Sequence, residues 1–210
     1  MIFRMAGVVV LLAAACAAQS WEIGAAAGDG IYHNATVTSS AGSAQAGIGN
    51  GIAPSVLVCD NMYEHVSGEF RYLYQPGQPF VSQNGVKATM TGRSHTFVYD
   101  ALIHFRPRDS WWRPYIAVGA GVKGYMAPGP APFPEPLSKQ ALLLANDEWK
   151  LVGSVGAGIK VKVQEHVVLR FDVRDFITQF PKKQISPATG ASVSGLLQQF
   201  TPMGGVGIVF

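Results

Sequence analysis

The sequence predicts an all-β fold: an eight-stranded antiparallel up-and-down transmembrane β-barrel preceded by a cleaved signal peptide. Three observations predict it. Apolar and polar residues alternate with period two over most of the chain, as in strands with two different faces. The connections between these segments alternate between long and short. Finally, the chain is poor in charge, yet it has no long apolar run beyond its N-terminus.

The composition does not suit a soluble globule. Hydrophobic residues make up 48% of the chain, charged residues only 14%, and there are 24 glycines, whereas a soluble domain has about a quarter charged residues. The apolar surface is therefore expected to be spread over alternating positions. The formal net charge of +3 is too small to indicate a nucleic-acid partner.

Residues 1–18 are predicted to be a secretory signal peptide, and residues 19–210 the barrel domain. Arg4 supplies a positive start, Gly7 to Ala15 a short apolar segment, and small residues offer cleavage sites before Ala18 or Gln19. The apolar segment is too short for a membrane-spanning helix. A lipid-modified Cys16 is the alternative, but the expected Leu lies one position early.

Removal of this segment would leave Cys59 as the one cysteine, so no intrachain disulfide is expected. Cys59 itself falls in a predicted short turn and is interpreted as incidental.

The alternating segments predict eight strands, which the connections separate. The last strand is the clearest, because Phe200, Val206, Ile208 and Phe210 share one face of it. The predicted connections are residues 33–44, 59–63, 76–88, 106–112, 126–147, 163–165 and 177–199. They alternate long and short, as in outer-membrane barrels with short periplasmic turns and longer extracellular loops. Both termini are then expected to be periplasmic.

The charged face is predicted to point into the barrel. Glycines such as Gly119, Gly156 and Gly205 lie on that face, and the narrow interior of an eight-stranded barrel needs small residues beside large charged ones. Aromatic residues collect near strand ends, where two girdles would anchor the barrel at the membrane interfaces. The predicted interface aromatics are Trp21, Trp111, Trp112, Tyr125 and Trp149.

The chain resembles the small outer-membrane barrels of the OmpA/OmpX kind over about its whole mature length. The resemblance rests on the signal peptide, the strand that begins Arg113-Pro114-Tyr115, the strand Arg170–Arg174 and the terminal Phe210. It implies that Phe210, a C-terminal aromatic on an alternating strand, is the signal read by the barrel-assembly machinery. The sequence stops at Phe210 without a peptidoglycan-binding domain, so cell-wall tethering is not implied.

The inward face carries charged and polar side chains that are expected to form one ion-pair network, because buried charges need partners. The interpretation is structural, with a gated ion path as the alternative. Lys160 and Lys162 fall on the same face. The predicted network comprises Glu69, Arg71, Asp100, His104, Arg170, Asp172 and Arg174.

No catalytic residue, cofactor site or metal site is predicted. The five histidines are scattered without metal-ligand spacing. His33 and Asp29 lie near the expected outer rim with nothing to pair them, so an enzyme is not expected.

The expected partners are outer-membrane lipid, lipopolysaccharide and the barrel-assembly machinery, with no nucleic acid. Lys182 and Lys183 in the fourth long loop could contact lipopolysaccharide phosphates, although a solvated loop is the simpler interpretation.

The leading hypothesis is a structural or interaction protein of the outer membrane whose loops meet an external partner. A narrow pore or small-molecule channel is the second hypothesis, and a secreted lipocalin-like ligand-binding barrel the third.

Overall fold

The computed structural model describes residues 21–61, 63–193 and 195–210. The predicted signal peptide and Cys16 lie outside these residues. Within them the chain forms sixteen strands, β1 to β16 in chain order. Those of the barrel wall are β1 (Trp21–His33), β4 (Gly51–Ile52), β5 (Ser55–Asp60), β6 (Val66–Pro76), β9 (Arg93–His104), β10 (Trp112–Met126), β12 (Glu148–Lys162), β13 (Val167–Gln179) and β16 (Leu196–Val209).

The wall is a closed antiparallel barrel. Each strand pairs with its neighbour in the order β16-β13-β12-β10-β9-β6-β5-β1, and β16 pairs again with β1. The short β4 continues the line of β5 along β1. The closing register sets Glu22 opposite Val209 and Tyr32 opposite Gln199. The predicted eight-stranded barrel is therefore confirmed, and closure leaves it without an exposed sheet edge.

No helix among the described residues is long and apolar enough to cross a membrane.

Alternation along the strands sorts the side chains between the two faces. On β13, Arg170, Asp172 and Arg174 are buried, whereas Leu169 and Phe171 are exposed by 37% and 54%. Large apolar side chains cover the outside of every part of the wall, a pattern that a soluble monomer avoids. The outward set includes Ile23, Val56, Phe70, Tyr99, Ile116, Val118, Leu151, Val155, Phe200 and Val206.

The predicted eight strands account for the wall, but the long connections, which the sequence predicts to be loops, contain further strands. The first three carry β2 (Ala35–Ser39), β3 (Gly42–Ile48), β7 (Pro79–Gln83), β8 (Val86–Thr89) and β11 (Ala141–Leu143). The fourth carries β14 (Ile185–Pro187) and β15 (Ser192–Val193). These strands form a five-stranded sheet, in the order β15-β2-β3-β7-β8, and a separate β11–β14 pair. We call this assembly the cap, and the opposite end of the barrel the Trp21 end.

A hydrophobic core holds the cap together, which explains why these segments become strands. Val37, Val81, Leu143 and Phe180 come from the four different long connections and are each 3% exposed or less. Such contacts between segments distant in sequence override weak local preferences for strand.

Candidate functional site

The centre of the lumen is a single cluster of ion pairs around Glu69. Its carboxylate accepts hydrogen bonds from Arg71 Nε at 3.0 Å and from Arg174 Nη2 at 3.1 Å. It also accepts one from Arg170 Nη2. Three guanidinium groups thus surround one fully buried carboxylate.

The cluster extends from Glu69 to three other carboxylates. Arg174 Nη1 donates to Asp100 Oδ2 at 2.8 Å. Arg71 donates to both carboxylate oxygens of Asp172, at 3.2 and 3.0 Å. These bonds join β6, β9 and β13 across the lumen.

Glu22 forms the end of the cluster that faces the Trp21 end. It accepts from Arg170 Nη1 at 2.6 Å and from Lys160 Nζ at 2.6 Å. Tyr115 adds β10 to the cluster by donating its hydroxyl to Asp172 Oδ2 at 3.1 Å. Four carboxylates then face four cations, and the cluster links six wall strands: β1, β6, β9, β10, β12 and β13. Balanced charge is what a buried network requires.

The structure buries each residue of the predicted lumen network, with exposures of 4% or less. It brings six of the seven into ion pairs. His104 is the seventh: its Nε2 lies 3.0 Å from the Ser67 hydroxyl, outside the ion-pair cluster. Lys162 lies on the same face of β12 as Lys160, but at the open Trp21 end of the lumen, where its side chain is exposed.

The sequence interpretation omitted Glu22 from the network. The signal was present, since Glu22 is the one charged residue on the β1 face that also carries Gly24, Ala26 and Gly28. Tyr115 was omitted too, although it shares a face with Arg113 and Lys123 on β10.

An apolar layer lies beyond the cluster, toward the cap. It is formed by Leu73, Val98, Val152, Phe176 and Met203, with Ala26 and Ala53. The sulfur of Met203 lies 3.3 Å from Arg71 Nη1, so this layer rests directly on the cluster.

A second polar layer lies beneath the cap and centres on Lys123, which is fully buried. Its ammonium group donates to Gln199 Oε1 and lies 4.8 Å from the centre of the Tyr32 ring. Gln199 in turn donates to Gln75, and Gln75 donates to Gly30 O at 2.8 Å. The lumen is thus occupied in turn by charged, apolar and polar layers.

The predicted interface aromatics divide into three groups. Trp111 and Trp149 point outward, exposed by 65% and 52%, and Trp21 and Trp112 are half-buried. The prediction for Tyr125 is wrong: it is buried in the lumen, with its hydroxyl 2.7 Å from Thr178 Oγ1. Tyr125 has the same strand parity as Lys123, and parity rather than nearness to a strand end decides the face.

The predicted position of Cys59 is also wrong. It lies in β5, not in a turn, and its buried thiol is 3.4 Å from Lys160 Nζ. Lys182 and Lys183 are exposed on the cap.

Solved structures of two bacterial proteins have a similar fold. The outer membrane protein OprG from Pseudomonas aeruginosa is 14% identical with a TM-score of 0.59, over 91% of this chain and 96% of that chain. Neisserial surface protein A is 13% identical with a TM-score of 0.54, over 91% of this chain and 97% of that chain. No protein-family model matches the sequence, and neither does any curated protein.

Proposed function

Because the chain has the fold of the small eight-stranded outer-membrane barrels, we propose that it is a structural and interaction protein of a Gram-negative outer membrane. The Trp21 end would face the periplasm, and the cap would lie outside the cell. The apolar exterior of the wall supports insertion into a bilayer. The same exterior speaks against a secreted lipocalin-like barrel, whose apolar face would point inward.

One observation carries the functional part of the proposal, namely the filling of the lumen. The charged cluster fixes six wall strands to one another. Because the lumen is filled by this cluster and the two layers above it, a partner would bind to the cap. A rigid scaffold that presents folded connections is a common arrangement for binding. Lipopolysaccharide and an external protein are both proposed partners of the cap.

The experiment that tests this proposal is a conductance measurement on the refolded protein in planar bilayers. We expect no stepwise conductance from protein shown to be folded by its circular dichroism. Reproducible single-channel steps would contradict the proposal and favour the narrow-pore hypothesis. The matched variant is Asp109→Asn, which changes an exposed charge outside the cluster and should be equally silent.

Localisation is tested separately by fractionation and by protease treatment of intact cells. We expect the mature chain in the outer-membrane fraction, with the cap accessible to protease from outside the cell. Recovery of the mature chain from the soluble periplasm would contradict the membrane assignment.

A further inference from the structure

The Trp21 end of the barrel contains a recess that leads down to the charged cluster. It has a volume of about 210 Å³ and ends at Glu22 and Lys160, which are 1% and 4% exposed. Arg113 lies on its wall and is 6% exposed, while Arg108 and Lys162 stand at its exposed rim. We call this recess the vestibule.

Positive charge is concentrated in a row beside the vestibule. The strand registers set Arg113 opposite Lys160, and Lys160 opposite Arg170, on adjacent strands β10, β12 and β13. Like charges directly opposite one another on a sheet repel. Lys160 and Arg170 are compensated by Glu22, at 2.6 Å from each.

Arg113, at the end of this row, is compensated less closely, because Glu22 and Glu64 attract it only from beyond direct contact. Its guanidinium donates to Glu64 O at 2.9 Å, to Arg106 O at 3.4 Å and to Asn61 Oδ1 at 3.5 Å. All three acceptors are uncharged. Among the described residues, no carboxylate lies within 4.0 Å of it. A buried cation whose direct contacts are all uncharged is stabilised further by an anion that reaches it.

In the part of the chain that the structure describes, the other carboxylates at the vestibule do not contact the Arg113 guanidinium. Asp109 and Glu165 stand at the exposed rim, where salt and water screen their charge. The Glu64 carboxylate accepts the backbone N–H of Arg108 at 3.3 Å. Arg108 and Lys162 stand at the same exposed rim, where their charge is screened to the same extent, so they act on an anion through direct contact.

We propose that the vestibule binds a small oxyanion, a phosphate or carboxylate group, with Arg113 as its principal ligand and Arg108 and Lys162 as rim contacts. Guanidinium groups match the paired oxygens of such anions. The vestibule has room for a small group of this kind and is open to the side of the barrel that holds Trp21 and Phe210. The anion could be a free solute or the headgroup of a phospholipid at the barrel rim.

The test is a titration of isotope-labelled protein, folded in an uncharged detergent, with inorganic phosphate and separately with acetate. We expect saturable shifts of the Arg113 and Arg108 side-chain NMR signals with at least one of the two anions. Arg113→Gln should weaken this binding about ten-fold, the effect of losing one strong charge-assisted hydrogen bond. The matched control Arg93→Gln, an exposed arginine at the other end of the barrel, should leave the affinity unchanged.

Because Arg113 is buried, its variant could fail to fold, and the double variant Arg108→Gln/Lys162→Gln provides a second measure. Both side chains are exposed, so the barrel should fold normally and bind the anion several-fold more weakly. Saturable shifts with neither anion, or unchanged affinity in the double variant, would overturn the proposal.

The same titration in lipid nanodiscs distinguishes the two sources of the anion. If a headgroup occupies the vestibule, nanodiscs of anionic phospholipid should prevent the shifts caused by free phosphate, whereas nanodiscs of an uncharged lipid should not. If the ligand is a free solute, the shifts should appear in both lipids.

Discussion

Arg71 on β6 and Asp172 on β13 are 101 residues apart in sequence and form a two-bond ion pair across the lumen, at 3.2 and 3.0 Å. Both side chains are inaccessible to solvent at their charged ends. Asp172→Asn would keep the volume but leave Arg71 with one carboxylate, Glu69. We expect the free energy of unfolding to fall by about 3–5 kcal/mol, because the buried Arg71 loses one of its two carboxylate partners.

The measurement is the urea midpoint of refolded protein in lipid vesicles. An unchanged slope of the unfolding free energy against urea concentration would show that the unfolding transition itself is unchanged. Asp109→Asn is the control, since that carboxylate is exposed. Equal midpoints for the two variants would mean that the cluster fills space without stabilising the barrel.

The inward glycines make a second prediction. A Cβ added at Gly121 would lie 1.9 Å from Phe97 O and 2.7 Å from Val98 Cα, both backbone atoms of the neighbouring β9. Gly121→Ala should therefore destabilise the barrel by about 1–3 kcal/mol, the usual cost of overpacking. Gly153→Ala, on the outward face of β12, is the control, because its Cβ would meet only Ile177 O, at 4.0 Å.

Both glycine variants are to be compared by urea unfolding and by the folded fraction on unboiled gels. A loss in Gly121→Ala alone would support the close approach of β9 and β10. Equal losses in both variants would instead indicate an intrinsic effect of alanine on strand stability.

The wall was predictable from sequence because its signal is local and repeated. The alternation on β13 already separates Arg170 and Asp172 from Leu169 and Phe171, and the same parity predicts which side chains fill the lumen. Applied strictly, parity would also have placed Tyr125 inside. Nearness to a strand end therefore does not by itself make an aromatic residue an interface anchor.

The cap was not predictable in the same way. Strands of two to seven residues, such as Ala35–Ser39 and Gly42–Ile48, carry too little alternation to be recognised singly. They are stabilised by contacts among four connections that are far apart in sequence. The ion-pair partners inside the lumen could not be predicted from sequence either. Parity predicts that Glu22 points inward, but not that it contacts Lys160 and Arg170.

The cap core supplies a third prediction from two adjacent residues of β11. Leu143 is 1% exposed within the core, whereas Leu142 is 37% exposed. Leu143→Ala should cost about 2–5 kcal/mol, the range for truncating a buried leucine, and this loss should be confined to the cap. Leu142→Ala should have little effect.

Hydrogen exchange in lipid vesicles measures this difference segment by segment. We expect faster exchange of the cap amides in Leu143→Ala, with unchanged protection in β10 and β12. Loss of protection throughout the wall would show that the cap and the barrel unfold together and would contradict an independent cap core.

The last prediction concerns Phe210, proposed as the assembly signal. Its ring is 66% exposed, and its N–H donates to Trp21 O at 2.9 Å, so the side chain contributes little to the wall itself. Phe210→Ala should refold normally in vitro but insert poorly into the outer membrane of cells, because the assembly machinery would read the side chain. The control is Phe105→Ala, since Phe105 is 62% exposed near the same end of the barrel. Folded protein in the membrane fraction is measured for both. Equal insertion of the two variants would assign Phe210 to interface anchoring alone, and a refolding defect in vitro would assign it to the stability of the wall.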